Sequence, residues 1–259
     1  MNKKELLDNY VKKYETPEFI KDDPIQFPHR FELKKDAEIS GLIASCLAYG
    51  RREKIIESIE KIHKLIENEP YNFCINYDYE KDGKIFDGFL YRYTKGYDIA
   101  LLFNAISKAI EEYQSLENLF MEHLDKKQKN IKLPLTEFVY KMINYSPEEA
   151  NIRGLNFLLP SPLKGSACKR LNLYLKWMVR QGPVDLNLWK DVPPSMLLIP
   201  LDTHVARLSR KLNLTSRKAD DWITTEEITE QLKKFDSNDP VKYDFALFGI
   251  GVSGENLNG

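Results

Sequence analysis

The hydrophobic positions of this chain of 259 residues recur with the spacing of helices along most of its length. Apolar side chains three and four residues apart predict helices over 6–14, 39–47 and 55–66, with a break at Tyr49-Gly50 between the last two. The same spacing predicts helices over 99–113, 116–124, 135–143, 167–180, 203–212, 225–235 and 241–250. Segment 71–97 is irregular, with a short helix favoured near 86–93. The alternation typical of strands is not evident, so the pattern predicts an all-α chain.

Polar residues stand where several of these helices are expected to begin. Asp36, Ser115 and Thr224 occupy N-cap positions, and Thr224 with Glu227 resembles a capping box. Pro240 opens the last helix at its first position. Segment 181–200 contains four prolines and is predicted to be a long connector between two helices.

Composition narrows the class of protein. The chain is 42% hydrophobic and 30% charged, with a net charge of −1, which is ordinary for a soluble globular protein. No apolar run approaches the ~20 residues that span a bilayer, and the start of the chain predicts an amphipathic helix instead of a signal peptide. We therefore expect a cytoplasmic protein without membrane contact.

The cysteines and histidines offer no cofactor site. Cys46, Cys74 and Cys168 are far apart, odd in number and one thiolate short of an iron–sulfur cluster. They indicate a reducing compartment. Four histidines and three scattered cysteines lack metal-ligand spacing, so we expect neither a metal nor another cofactor.

Positive charge is concentrated in one part of the chain. Residues 161–218 hold eleven lysines and arginines and three aspartates, within a chain that is nearly neutral. Such an excess suits phosphate neutralisation. A solvated basic face paired with the acidic remainder explains the charge equally well, so charge alone leaves both interpretations open.

The start of the helix predicted over 167–180 offers a phosphate site. Gly165 can adopt a positive φ, and the amides that follow it would point outward at a helix N-terminus, where Lys164 and Ser166 flank them. A DNA phosphate could dock there without sequence readout. The alternative is an ordinary capped helix start, of which soluble proteins have many.

Lys169 and Asp202 each open a predicted helix. Taken singly, Lys169 is most simply a surface lysine and Asp202 an N-cap. Together they could converge on one sugar, where the amine attacks an anomeric carbon and the carboxylate stabilises positive charge. The attack requires a lysine partly deprotonated near neutral pH, well below its usual pKa of ~10.4. Burial and the charge of Arg170 would favour that.

The segment from Asp202 to Leu208, Asp-Thr-His-Val-Ala-Arg-Leu, resembles the Val-Asp-Thr-His-Val-x-Arg block of the endonuclease III and 8-oxoguanine glycosylase superfamily. The aspartate of that block is catalytic in the superfamily. Lys164–Arg170 then stands where that superfamily has its hairpin. The resemblance implies that Gly165 is a hairpin glycine and Lys169 the Schiff-base lysine. Ala167 replaces a second glycine, and the connector to Asp202 is similar in length to that of the archaeal 8-oxoguanine glycosylases. His204 would be a buried structural histidine.

A third block, Glu38–Arg51, resembles the superfamily helix whose end enters the DNA gap left by an extruded base. Tyr49, Arg51 and Arg52 would occupy that place, although a plain helix–helix turn with surface arginines explains them too. The whole chain resembles the bacterial DUF2400 group, through phrases such as Phe27-Pro28-His29-Arg30-Phe31 and Pro200-Leu201-Asp202-Thr203-His204-Val205.

The resemblance also implies residues around the flipped base. Asp244 and Phe248 lie four apart on the last predicted helix, so they share a face. Asp244 could accept purine N–H groups and Phe248 could stack on the ring. The alternative is that Phe248 belongs to the core and that Asp244 pairs with Lys242 or Arg207.

Aromatic residues crowd the irregular segment. We predict that these nine side chains fill a core, although aromatic rings can also stack on bases: Tyr71, Phe73, Tyr77, Tyr79, Phe86, Phe89, Tyr91, Tyr93 and Tyr97.

The resemblance thus implies a two-lobed, helix-hairpin-helix glycosylase-like fold, all α. We expect a helical barrel lobe over 36–159 and a second lobe formed by 1–35 with 160–259, which carries the hairpin and the catalytic aspartate. The expected activity is removal of a damaged base, favoured 8-oxoguanine, from duplex DNA by a bacterial monomer associated with the nucleoid. It would include an abasic-site lyase step if Lys169 is the nucleophile. The expected DNA contacts are Lys164, Gly165, Ser166, Arg170, Arg207, Tyr49, Arg51 and Arg52.

Two other functions remain open. A DNA-binding protein that has kept the fold and lost catalysis would need Gly165 and the basic stretch but not Asp202. A helical interaction scaffold would need neither.

Overall fold

The structure is a computed structural model that describes residues 2–253. The described chain forms two compact units. The terminal unit comprises residues 2–22, 126–131 and 162–253, and the central unit comprises residues 23–125 and 132–161. The predicted lobe boundaries at residues 36 and 159 stay a prediction.

Helices dominate both units. In residues 2–253 the α-helices are α1 (Lys3–Tyr14), α2 (Glu18–Lys21), α3 (Lys34–Leu47), α4 (Arg52–Leu65), α5 (Pro70–Ile75), α6 (Tyr79–Asp82), α7 (Gly96–Tyr113), α8 (Leu116–Met121), α9 (Lys132–Asn144), α10 (Arg153–Leu158), α11 (Lys169–Val179), α12 (Thr203–Lys211), α13 (Trp222–Lys233) and α14 (Asp244–Ser253). Short 3-10 helices cover Pro24–Gln26, Pro28–Arg30, Gly83–Phe86, Pro162–Lys164, Pro194–Met196 and Pro240–Tyr243.

One small hairpin interrupts the helices of the central unit. Strands β1 (Leu90–Tyr91) and β2 (Thr94–Lys95) are antiparallel, with Leu90 opposite Lys95. The predicted helix near 86–93 is therefore wrong. Arg92 has φ 52° at the turn, a left-handed conformation that ends helical geometry and lets the chain reverse.

The predominantly helical prediction is confirmed, and so is the break between α3 and α4. Gly50 has φ 99°, and a Cβ there would lie 2.7 Å from the Tyr91 hydroxyl. Glycine is therefore required at this break for its backbone freedom and for the close approach of the hairpin. The long connector is confirmed as well, since only one short 3-10 helix lies between α11 and α12 in the described chain.

Two predicted N-caps are wrong. The N-cap of α3 is Leu33, and Asp36 lies in the first turn, where its Oδ1 accepts the Tyr71 N–H at 2.8 Å. The N-cap of α13 is Asp221, whose Oδ1 accepts the Thr224 N–H at 2.8 Å. The predicted N-cap at Ser115 is confirmed.

The terminal unit is built around an apolar cluster to which α1, α12 and α14 contribute. Helix α14 can approach the other two closely because glycine faces them. A Cβ at Gly249 would lie 2.2 Å from the Tyr14 ring, and one at Gly251 would lie 2.9 Å from His204 Cβ. The close approach fixes α14 against the helix that begins at Asp202.

The central unit has an aromatic core beneath its hairpin. The rings of Phe86 and Phe103 stack with centroids 4.9 Å apart, and Phe73 meets Phe103 edge to face at 5.1 Å. These rings fill the interior as predicted. Tyr93 and Tyr97 do not, since they are 70% and 43% exposed.

Candidate nucleic-acid interface

Asp202 is the N-cap of α12. Its Oδ1 accepts the backbone N–H groups of His204 at 2.8 Å and Val205 at 2.9 Å. No residue in the range 2–253 donates a hydrogen bond to Oδ2. The two backbone donors hold the carboxylate in one orientation, and the second oxygen remains able to act on a ligand.

The turn before α11 is open on one side. Gly165 has φ 77°, as predicted, and a Cβ there would meet no atom within 4 Å. Its carbonyl accepts the Trp222 N–H at 3.1 Å, which ties the turn to the start of α13. Leu163 is 74% exposed and Lys164 is also exposed. An exposed apolar tip beside a lysine suits contact with a nucleic-acid groove.

Helix α11 begins through an uncommon cap. Cys168 has φ 48°, and its N–H donates to the Ser166 Oγ at 3.1 Å. Burial raises the pKa of the Cys168 thiol to about 12, so this cysteine is not a nucleophile at neutral pH. Lys169, the next residue, is half-buried in the first turn of α11. The role of Lys169 as the nucleophile stays a prediction.

Chain neighbours of Lys169 and of Asp202 meet at one apolar cluster. Ala167, two residues before Lys169, packs against the cluster that contains Leu201 and Val205 on either side of Asp202. The start of α11 and the start of α12 therefore belong to the same unit. Convergence of the Lys169 amine and the Asp202 carboxylate on one ligand stays a prediction.

Fewer cations of the basic stretch 161–218 are exposed and unpaired than its sequence suggests. Arg170, Lys176 and Arg180 are buried, with exposed fractions of 9%, 2% and 2%. Arg210 and Arg217 bind Asp220 and Asp221, both of which follow the stretch. The expectation that Arg170 contacts DNA therefore has little exposed surface to support it.

Two side chains of α12 are directed to the end of α14. The His204 Nδ1 and an Arg207 terminal nitrogen each lie 3.2 Å from the Gly251 carbonyl oxygen. Both side chains are exposed, so the expectation of a buried His204 is wrong. Side-chain N–H donors can satisfy a carbonyl near a helix C-terminus that has no partner within the helix.

Tyr49, Arg51 and Arg52 belong to the central unit. The Tyr49 hydroxyl lies 2.7 Å from the Thr94 Oγ1 and 3.1 Å from the Tyr91 carbonyl, so it anchors the hairpin. Arg51 and Arg52 are exposed at the start of α4. Tyr49 therefore has a structural role in anchoring the hairpin, whereas Arg51 and Arg52 lie on the surface.

Residues 23–253 match the family described as "Protein of unknown function (DUF2400)". The chain belongs to the DUF2400 family. The matched range includes every predicted site residue of this DUF2400 protein. No curated protein and no solved structure matches the chain.

The terminal unit of this DUF2400 protein contains a buried ionic network that the sequence reasoning missed. The Lys176 Nζ lies 2.9 Å from the Asp244 Oδ2, 4.0 Å from the Asp185 Oδ1 and 3.6 Å from the centre of the Phe245 ring. Arg180 pairs with Asp185 and also with Asp239 and Glu15. The signal in the sequence is that Lys176 stands among apolar residues in the last turns of α11 and that Arg180, the C-cap, follows it by four residues.

Charge in this network is compensated internally. Burial opposes the charge of Lys176, but Asp185 and Asp244 outweigh burial and raise its pKa. Burial raises the pKa of the Asp185 carboxyl against the pull of Lys176 and Arg180. Lys176 is thus held as a cation, and it is a poor candidate for a nucleophilic amine.

The network bears on the predicted base-binding pair. Asp244 is 7% exposed and pairs with Lys176, so the expected alternative partners Lys242 and Arg207 are wrong. The Phe248 ring lies edge to face with Phe19 at 6.4 Å. Contact with a base stays a prediction for both residues. The ion pair of Asp244 and the ring contact of Phe248 favour a structural role.

The described part of the chain has no group of three or more His, Cys, Asp or Glu side chains placed to hold a metal ion. It also has no helix long and apolar enough to cross a membrane.

Proposed function

We propose that this DUF2400 protein is a DNA glycosylase that removes a damaged base, with 8-oxoguanine the favoured substrate. The resemblance of the Asp202 block and the Gly165 turn to the helix-hairpin-helix glycosylases motivates the proposal. The observation that carries it is the state of Asp202: one carboxylate oxygen is fixed by two backbone N–H groups, and no described residue donates to the other.

The proposed DNA contact is the turn before α11. The positive φ of Gly165, the exposed Lys164 and the exposed Leu163 support a phosphate at this turn. Backbone amides and a lysine neutralise a phosphate without reading sequence. Such a contact would position the duplex so that a flipped nucleotide reaches the starts of α11 and α12.

The proposed chemistry takes place at C1′ of the flipped nucleotide. The neutral Lys169 amine forms a bond to C1′ while the bond from C1′ to the base breaks. The electron pair leaves with the base, which takes a proton from solvent. The Asp202 carboxylate stabilises the positive charge that develops on the sugar. The attacking nitrogen then loses a proton, and its electron pair forms the Schiff base as the C1′–O4′ bond breaks and O4′ takes up a proton. Loss of a C2′ proton with departure of the 3′-phosphate then cleaves the strand, which is the lyase step.

A water molecule could replace the lysine. Asp202 Oδ2 would then accept the proton of the attacking water, and the product would be an intact strand with an abasic site. The two routes differ in whether a covalent DNA adduct forms.

The test is a panel of duplexes, each with one lesion, incubated with the full chain. We expect base release from at least the 8-oxoguanine duplex. Borohydride should trap a covalent adduct with the wild type and with Lys211→Ala, a control lysine exposed on α12, but not with Lys169→Ala. Base release without an adduct would support the water route. Binding without base release from any duplex would contradict the enzyme proposal.

One observation favours a second candidate, a DNA-binding protein without catalysis. The Asp202 cap gives the residue a structural task that it would keep in an inactive protein. This candidate predicts salt-dependent duplex binding and no base release.

A further inference from the structure

A cleft in the central unit combines exposed aromatic rings with cations. Its volume is about 790 Å³, and it lies among the hairpin, the start of α7 and α10. The side chains that matter here are Arg92, Tyr93, Lys95, Tyr97, Arg153 and Phe157.

The aromatic rings of the cleft are unusually exposed. Tyr93 is 70% exposed, Tyr97 43% and Phe157 38%. The Tyr93 and Phe157 rings lie edge to face with centroids 5.9 Å apart. Exposed rings do not contribute the free energy that burial of apolar surface gives to folding. A cluster of exposed apolar side chains is typical of an interaction site. The rings present faces on which a planar ligand can stack.

The cations of the cleft are exposed too. Arg92, Lys95 and Arg153 form no ion pair with any residue in the range 2–253. The one carboxylate in the lining, Asp98, is 8% exposed and accepts the Lys95 backbone N–H at 2.8 Å. The cleft therefore has an excess of positive charge at its surface.

The walls of the cleft are fixed in position. A Cβ at Gly154 would lie 1.8 Å from the Asp98 Oδ1, so glycine is needed where α10 meets α7. The Tyr97 hydroxyl accepts the Asn151 N–H at 3.1 Å, which joins the start of α7 to the segment before α10. A preformed cleft binds a ligand with a small ordering cost.

We propose that this cleft binds a nucleotide of single-stranded nucleic acid. The base stacks on the Tyr93 ring with the Phe157 ring, which is inclined at 75° to it, at the edge of the base, and the adjoining phosphates contact Arg92, Lys95 or Arg153. Stacking on aromatic rings tolerates any base, and cations beside the rings follow the backbone. The proposal goes beyond the glycosylase proposal because it requires neither Asp202 nor Lys169.

A second cleft extends the path of the strand. It has a volume of about 320 Å³ and includes Arg51, Lys54 and Lys61 in its lining. Arg92 lines both clefts, so phosphates that leave the first cleft meet further cations. Glu57 pairs with Lys54 at 2.6 Å and with Lys61 at 3.4 Å, and Arg51 lies 3.7 Å from Glu53. Arg92 is therefore the cation of this extension that has no ion pair with residues 2–253.

The test is fluorescence anisotropy of the full chain with a labelled oligothymidylate and with an abasic strand of the same length. We expect Tyr93→Ala to weaken oligothymidylate binding about tenfold, in line with the loss of one stacked base. Binding of the abasic strand should not change. Tyr140→Ala is the matched control, because Tyr140 is 62% exposed on α9 of the same unit, and it should bind like the wild type.

The charge is tested separately. Arg153→Gln should weaken both strands and reduce the dependence of binding on salt. The proposal is overturned if Tyr93→Ala binds oligothymidylate like the wild type, or if the abasic strand or dextran sulfate binds as tightly as oligothymidylate. Asp202→Asn should bind like the wild type, which separates this result from the fate of the glycosylase proposal.

Discussion

The Lys176 amine donates to the Asp244 carboxylate at 2.9 Å, with both side chains enclosed in the terminal unit. The pair joins the middle of α11 to the first residue of α14. The helix that starts at Lys169 and the helix predicted to hold the base-binding residues are therefore coupled by charge.

Removing this cation should destabilise the protein strongly. Lys176→Met leaves Asp185 and Asp244 buried with less compensation, so we expect the free energy of unfolding to fall by about 3–5 kcal/mol. Urea denaturation followed by circular dichroism measures it. Lys242→Met removes a partly exposed ion pair with Asp236 and should cost less, about 1 kcal/mol. An equal decrease in the free energy of unfolding in the two variants would show that the buried network stabilises the protein no more than the Lys242–Asp236 pair does.

Stability should fall in mild acid because of His63. Its ring is buried, its Nδ1 donates to the Ile59 carbonyl at 3.0 Å, and its Nε2 accepts from the Ser40 hydroxyl at 2.8 Å. Burial lowers the pKa of His63 from 6.5 to about 4. Below pH 6.5 the unfolded chain therefore binds a proton that the folded chain does not, and folding loses free energy as pH falls toward 4.

The expected loss from this histidine between pH 7.5 and 5.5 is about 1 kcal/mol. Denaturant unfolding at the two pH values measures it, and His63→Gln should show a smaller dependence on pH. The same pH dependence in the variant as in the wild type would rule out His63 as its source.

Gly249→Ala should separate α14 from α1. The new Cβ would lie 2.2 Å from the Tyr14 ring, and overpacking of this kind costs about 1–3 kcal/mol. Gly83→Ala is the matched control, since its Cβ would be no closer than 3.4 Å to any neighbour. Thermal unfolding compares them, and similar midpoints would show that α14 moves aside without cost.

The cap at Asp202 predicts a difference between two substitutions. Asp202→Ala removes the acceptor for His204 and Val205 and should cost about 1 kcal/mol, whereas Asp202→Asn keeps a capping oxygen and should be nearly neutral. Chemical denaturation of both variants measures this difference. If Asp202→Asn were as unstable as Asp202→Ala, the negative charge and not the hydrogen bonds would stabilise α12.

Local periodicity and capping were sufficient to predict most helices and the aspartate cap of α12. They failed at Thr224, because Asp221, about one turn earlier, is the N-cap of α13 and accepts the Thr224 N–H. They also failed at the hairpin, where two strands of two residues give no alternation to detect. Such short elements depend on tertiary contacts, here the Tyr49 hydroxyl on Thr94.

The candidate site could be predicted only in part. A sequence shows how many cations a stretch holds but not which of them are buried, so the burial of Arg170 and Lys176 cannot be predicted from the charge count. The exposed rings of Tyr93 and Phe157 come from segments far apart in the chain. Only the fold brings them into one cleft.

Base release by Asp202→Asn tests the central claim most directly, because asparagine retains the cap while removing the charge. The rate should be measured in a single turnover on a duplex containing 8-oxoguanine, with unfolding measured on the same samples. We predict that Asp202→Asn folds as stably as the wild type and releases the base about a hundredfold or more slowly. Release at the wild-type rate by the stable variant would contradict a catalytic role for Asp202.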